Sequence, residues 1–143
     1  MNQLMRCVKS PLIAGAFLAV AYPAFGSDFE SEACKNVNNS LAVVTCATAK
    51  KNVADSRLNE SYQELMARVK SQYKNHPKIE KDYLSMIKSS QRAWIVLRDK
   101  NCALEGIEIE TGSQAYKVTL DNCISRMSDE RRYYLNAISP MLP

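Results

Sequence analysis

Residues 58–73 read LNESYQELMARVKSQY, and the positions of their apolar side chains decide the fold class. Leu58, Tyr62, Leu65, Val69 and Tyr73 follow one another at steps of four, three, four and four residues. An α-helix turns once in 3.6 residues, so these five side chains form one stripe along a helix, whereas a strand would alternate at every second position. Polar residues fill most of the gaps. The segment is therefore an amphipathic helix whose apolar face needs a partner.

The residues downstream repeat the pattern. From Ser27 onward, Gly and Pro occur only at Pro77, Gly106, Gly112, Pro140 and Pro143, leaving 27–76, 78–105 and 113–139 free of the strongest breakers. Tyr83, Ile87, Trp94 and Leu97 fit one stripe in the second run, with Ser90 in the gap. Tyr116, Leu120, Cys123, Met127, Tyr134 and Ile138 do so in the third. Asn75-His76-Pro77 closes the first helix and starts the second, with Asn75 as the expected cap and Pro77 in the first turn. Thr111 and Ser113 both offer a cap to the third helix. Glu64 and Arg68 are spaced for an i, i+4 ion pair. The first ~15 residues after position 26 are less regular, with a short separate helix expected around Leu41–Val44. These signals predict an all-α fold: an antiparallel hairpin of long helices with a third helix packed across it.

The amino-terminal segment has a different character. Residues 1–26 contain no acid, carry Arg6 and Lys9, then run from Pro11 to Ala21 almost wholly apolar and end on Ala24-Phe25-Gly26. A short basic region, an apolar region and small residues before a polar stretch make a secretory signal peptide, with cleavage expected between Gly26 and Ser27. The apolar run of about 11 residues is too short for a permanent span. Cys7 precedes that run, so it is not a lipoprotein acceptor and no stable membrane anchor is expected. The reading is thus residues 1–26 as signal and 27–143 as a single domain, exported to the periplasm.

Cleavage changes the cysteine count. The chain has five cysteines, and losing Cys7 leaves Cys34, Cys46, Cys102 and Cys123, an even set of the kind that forms disulfides in an oxidising compartment. Four cysteines allow three pairings. The local one joins Cys34 to Cys46, pinning the irregular segment, and Cys102 to Cys123, tying the second helix to the third. A bridge closing a loop of roughly 20 residues stabilises by about 3 kcal/mol in the chain-entropy model. A redox role would call for Cys-x-x-Cys, which does not occur.

Composition excludes several function classes. The chain is 46% hydrophobic and 24% charged, an ordinary globular balance, with a net charge of +4 that falls by about half when Arg6 and Lys9 leave. That charge is too weak and too scattered for a nucleic-acid binder. The single histidine, His76, sits beside Pro77 at a turn and is expected to face solvent, so neither a His-based metal site nor His catalysis is expected. Glu60 and Glu64 share an exposed helix face, and no nucleophile motif is present. No cofactor and no catalytic residue is assigned. Lys50-Lys51 and Arg131-Arg132 read as solvated basic faces.

Three motifs carry a family resemblance: Leu58-Asn59-x-x-Tyr62-x-x-Leu65, then Gln91-x-x-Trp94-x-x-x-Arg98-Asp99-x-x-Cys102, then Cys123-x-x-x-Met127-Ser128-x-x-Arg131-x-x-x-Leu135. With Cys34 and Cys46 upstream, residues 34 to 138 resemble the LprI-like lysozyme-inhibitor family of exported bacterial proteins. The resemblance implies an all-helical, disulfide-stabilised envelope domain and, for some members, inhibition of lysozyme by protein–protein contact. The motif residues Leu58, Tyr62, Leu65, Trp94, Arg98, Asp99 and Arg131 read as structural: an anchor aromatic and polar pins that fix helix register. Arg98 and Asp99 are sequence neighbours and are not expected to face each other. Tyr62, Tyr73, Tyr83, Tyr116 and Tyr134 are expected at core edges.

The strongest interaction candidate is the connection Glu105-Gly-Ile107-Glu108-Ile109-Glu110-Thr-Gly112. Three acids alternate with two isoleucines inside the loop that the proposed Cys102–Cys123 bridge would close. The arrangement suits either a surface for a basic partner or an acidic linker with Ile107 or Ile109 tucked into the core. The expected function is a periplasmic, non-catalytic protein that inhibits a cell-wall hydrolase, either a lysozyme or a competitor's toxin, the latter making it an immunity protein. The alternative is an envelope stability or stress factor with no enzyme target.

Overall fold

The structure, a computed structural model, describes residues 32–138 and Pro140; the segment read as an export signal lies outside the described residues. Three helices account for most of it: α1 (Ser40–Gln72), α2 (Pro77–Glu105) and α3 (Gln114–Ala137). No strand occurs among the described residues. The disulfides join Cys34 to Cys46 and Cys102 to Cys123, with Cα separations of 4.8 and 5.5 Å. The fold class is the expected one.

Local chemistry sets the helix ends, and at two of them it differs from the sequence expectation. Asn39 is extended and its side chain accepts a hydrogen bond from the Ala42 N–H at 2.9 Å. With that cap in place and no breaker before Pro77, Leu41–Val44 forms the first turns of α1 and not a separate helix. At α2, Pro77 occupies the first helical turn, so the cap falls on His76, which makes no side-chain cap bond, and not on Asn75. At α3, Ser113 is the cap, its Oγ accepting from the Tyr116 N–H at 3.1 Å, while Thr111 stays in the turn. Gly112, just before it, has φ 87°, a conformation that favours glycine. Arg68 donates to the Leu135 carbonyl at 3.1 Å and does not pair with Glu64.

α1 and α3 run parallel. Thr48 bonds Asp121 and Asp55 bonds Ser128, both across 73 residues, so the two helices keep a constant register over two turns. α2 runs against both, with Arg98 on Asp55 and the Tyr73 and Tyr83 rings in tilted contact at 5.7 Å. The most extensive packing is between α1 and α3, with the sequential pair α1–α2 in looser contact. Small side chains explain this. Ala47, Ala54 and Ser61 of α1 recur every seven residues and are buried, as are Cys123 and Ser128 of α3, and small residues let helix axes approach closely.

The apolar core gathers at one end of the bundle: Leu58, Leu65, Met66, Val69, Tyr73, Ile87 and Leu135, edged by Tyr62, Tyr83, Leu84, Trp94 and Ile138. Two predicted apolar stripe positions are turned to solvent. Leu97 and Tyr134 are exposed. In α3 the buried seam is Asp121, Ser128 and Leu135, two of them polar, which turns Tyr134 toward the surface. In α2 only Ile87 and Cys102 are buried, so this long helix lies on the bundle more than in it.

Candidate functional site

One carboxylate oxygen joins the three helices. Asp55 Oδ1 of α1 accepts from Ser128 Oγ of α3 at 2.8 Å and from Arg98 Nη1 of α2 at 2.9 Å. Arg98 also donates to Ser128 Oγ at 3.2 Å and, through Nε and Nη2, to Asp99 Oδ1 at 3.0 and 2.9 Å. The expectation that Arg98 and Asp99 stay apart is corrected: the long arginine folds back along its own helix, and its planar fork reaches both acids. Trp94, one turn earlier, lies under two guanidinium groups, Arg98 at 5.4 Å and Arg131 at 5.6 Å from its ring centroid. Arg131 donates to Gln91 Oε1 at 3.1 Å and to Ser90 Oγ at 2.9 Å, so it is packed and bonded and is no solvated face. Burial lowers its pKa, and Tyr134 partly offsets that.

A second polar group lies nearer the start of α1. Asp121 Oδ2 accepts from Thr48 Oγ1 and Lys117 Nζ, both at 2.6 Å, and Lys51 Nζ stands 3.9 Å from Oδ1. Burial alone pushes the Asp121 carboxyl up. The hydrogen bonds from Lys117 and Thr48 and the charges of Lys117 and Lys51 outweigh it, holding the pKa below the ordinary carboxylate value. Lys51 is thus turned inward, again unlike a solvated doublet.

Between α1 and α2 a groove of about 560 Å³ opens, its walls formed by Asp55, Asn59, Tyr62, Gln91, Arg92 and Arg98 among others. Asn59, Tyr62, Gln91 and Arg98 are motif residues, so the motifs serve this surface as well as the core. Arg98 is neutralised by its two acids. Among the described residues no group of three or more potential metal ligands stands together, and no helix is long and apolar enough to cross a membrane.

The 105–112 connection lies at the far end of α2. Glu105 pairs with Arg126 at 2.6 Å; Ile107, Glu108 and Glu110 are exposed, and Ile109 is half-buried. Of the two isoleucines weighed for the core, Ile109 turns inward and Ile107 stands out, 73% exposed. The loop is held in several ways. The Cys102–Cys123 bridge ties its base, the Ile109 N–H bonds the Gly106 carbonyl at 3.0 Å, and the Ser113 N–H bonds the Glu110 carbonyl at 3.1 Å. Gly106 is buried, and a Cβ there would meet Tyr116 Cε2 at 2.9 Å. His76, Glu60 and Glu64 are all exposed.

Hydrophobic periodicity could not find Asp55, Asp121 or Thr48, because they are polar residues on a packed face. A signal was nevertheless present. Residues 121, 128 and 135 repeat every seven positions, as do 48 and 55, and that spacing marks a helix seam whatever the side chains are.

The family profile described as "Lysozyme inhibitor LprI" matches residues 31–135. An uncharacterized protein of Rhizobium meliloti (strain 1021), R02472, is 29% identical over 101 residues, covering 68% of this chain and 72% of that one. Among solved structures, the crystal structure of a DUF1311 family protein (PP0307) from Pseudomonas putida KT2440 is 32% identical with a TM-score of 0.63. It covers 71% of this chain and 95% of its own.

Proposed function

The chain belongs to the LprI lysozyme-inhibitor family, and from that membership we propose that it acts in the periplasm, after loss of residues 1–26, as a non-catalytic inhibitor of a peptidoglycan-degrading enzyme. The observation that carries the reading to a surface is the 105–112 loop. It presents exposed Ile107 between exposed Glu108 and the ion-paired Glu105, with Glu110 beside them, on a backbone already tied by a disulfide and turn hydrogen bonds. A loop ordered before binding loses little further entropy on contact, so its buried area converts more fully into affinity. Acids around an apolar tip suit the rim of a basic cleft: Ile107 enters, and the carboxylates steer the encounter. Occlusion of the cleft needs no chemistry from the inhibitor. The target class is a lysozyme-type muramidase or a competitor's muralytic toxin, in which case the protein confers immunity.

The test combines capture and turnover. Oxidised protein beginning at Ser27 is mixed with candidate muramidases and amidases, and retained enzymes are assayed by turbidity clearance of cell walls. Stoichiometric, saturable loss of the enzyme's activity is expected. The paired change Glu108→Lys and Glu110→Lys should weaken inhibition by about tenfold or more, mostly by slowing association. Unchanged potency with an unchanged helical spectrum removes the loop as the contact surface. If no muralytic enzyme is bound or inhibited, the stability-factor alternative takes its place.

A further inference from the structure

α2 carries an apolar stripe that the bundle uses only at its margin. Ile79, Met86, Leu97 and Leu104 are 39%, 69%, 55% and 64% exposed, too open to belong to a core. They lie on one side of the helix with Ala93 and Lys100, and with Tyr83 and Ser90, which border the bundle through Tyr73 and Arg131, at alternating steps of four and three residues from 79 to 104, the spacing of a helix–helix seam. α2 is therefore amphipathic twice over, with one face on α1 and α3 and a second, adjacent face toward solvent.

The second stripe is self-complementary. When two copies of α2 are laid antiparallel about a two-fold axis between Gln91 and Arg92, Ile79 meets the other copy's Leu104, Met86 meets Leu97, and Tyr83 meets Lys100. At the centre, Ser90 meets Ala93. Large apolar pairs at both sides of a small central layer let the helices approach closely in the middle and interlock toward the ends. The Lys100 ammonium over a Tyr83 ring makes a cation–π layer where an apolar pair is missing. Asp82, which flanks the stripe, lies next to the level of the opposite Lys100, adding charge complementarity. The face is about 38 Å long, from 25 rises of 1.5 Å each, and exposed Tyr134 of α3 stands at its margin beside Met86 and Ser90.

We propose that this stripe is the interface of a two-fold symmetric homodimer in which α2 packs antiparallel against α2 of a second copy. Symmetric pairing covers every exposed residue of the stripe at once, which is the property of an isologous contact. The 105–112 loops then stand at opposite ends of the dimer, both facing outward.

Sedimentation of the oxidised protein beginning at Ser27, at concentrations up to about 200 µM, tests the association. A dimer with a dissociation constant in the tens of micromolar or tighter is expected. Met86→Glu and Leu97→Glu should each weaken it at least tenfold, since each places a charge in a covered layer, while leaving the helical spectrum unchanged because both side chains are exposed in the monomer. Register is read by crosslinking. A mixture of Met86→Cys and Leu97→Cys proteins should join under mild oxidation, whereas Met86→Cys alone should not, its two copies lying about 16 Å apart along the axis. A monomer throughout the range overturns the proposal, including one that takes phosphatidylglycerol vesicles or a muramidase onto this face instead. So does a dimer unmoved by both glutamate variants, or a Met86→Cys protein that crosslinks with itself as readily as with the mixture.

Discussion

Asp55 and Ser128, 73 residues apart in sequence, are joined by a 2.8 Å hydrogen bond, and the same Asp55 oxygen accepts from Arg98 at 2.9 Å. Three helices are held at this level by one polar junction. The Arg98 side chain is 13% exposed and Asp55 41%, so the guanidinium depends on its partners more than the carboxylate does. Arg98→Ala should destabilise the fold by about 2–3 kcal/mol, because it removes packing on Trp94 as well as two acid contacts. Asp55→Asn should cost less, about 1 kcal/mol, since the amide oxygen still accepts and the exposed side screens the charge. Denaturant unfolding of the two variants checks the order.

Asp121 makes stability depend on pH at the acid end. Its folded pKa is depressed, so its contribution is fully present above the ordinary value of 3.8 and is lost as pH falls through the lower folded value. The melting temperature should therefore drop on acidification below about pH 4. Asp121→Asn should be less stable than the parent at pH 7, and the gap should narrow as the pH falls through that range. A gap that stays constant from pH 7 to pH 2.5 would falsify the assignment; thermal melts followed by circular dichroism measure it.

The Cys102–Cys123 bridge closes a separation of 21 residues. Replacing both cysteines by serine should lower unfolding free energy by about 3 kcal/mol while leaving the helices formed below the transition. Inhibition of a responsive muramidase should fall as well, because the 105–112 loop loses its tied base. A variant that unfolds earlier yet inhibits with full potency at low temperature would separate the bridge from binding.

Gly106 tests the loop without touching a charge. A methyl group there would stand 2.9 Å from Tyr116 Cε2 and 3.1 Å from Leu120 Cδ1. Gly106→Ala should cost about 1 kcal/mol by overpacking and tilt the loop away from α3. Chemical shifts of the Tyr116 ring and of the 107–110 amides, followed by NMR, should move together, while those of the core at Leu65 and Val69 should not.

Much of this architecture was legible. The breakers at Pro77, Gly106 and Gly112 delimit the helices because proline and glycine act locally, whatever the surroundings. The short separations favour the local cysteine pairing among the three possible, and the structure forms it. The site was less legible. Leu97 and Tyr134 fit an apolar period but lie exposed, while Asp121 and Ser128 break it and lie buried. Periodicity counts apolar residues, and so misses a seam made of small and hydrogen-bonded side chains.

By itself, then, the sequence determined the helical class, every helix end to within a turn except the start of α1, and the exposed acids near Ile107, and it favoured the local cysteine pairing over two others. These depend on spacing and on short-range chemistry. Only the tertiary structure decided that α1 pairs most closely with α3. It also decided that Arg98 and Trp94 sit in one polar stack, and that α2 keeps a second apolar face in solvent. Those outcomes depend on which of several possible faces meet, and that is settled by the close approach of alanines and serines and by carboxylates finding donors on helices distant in sequence.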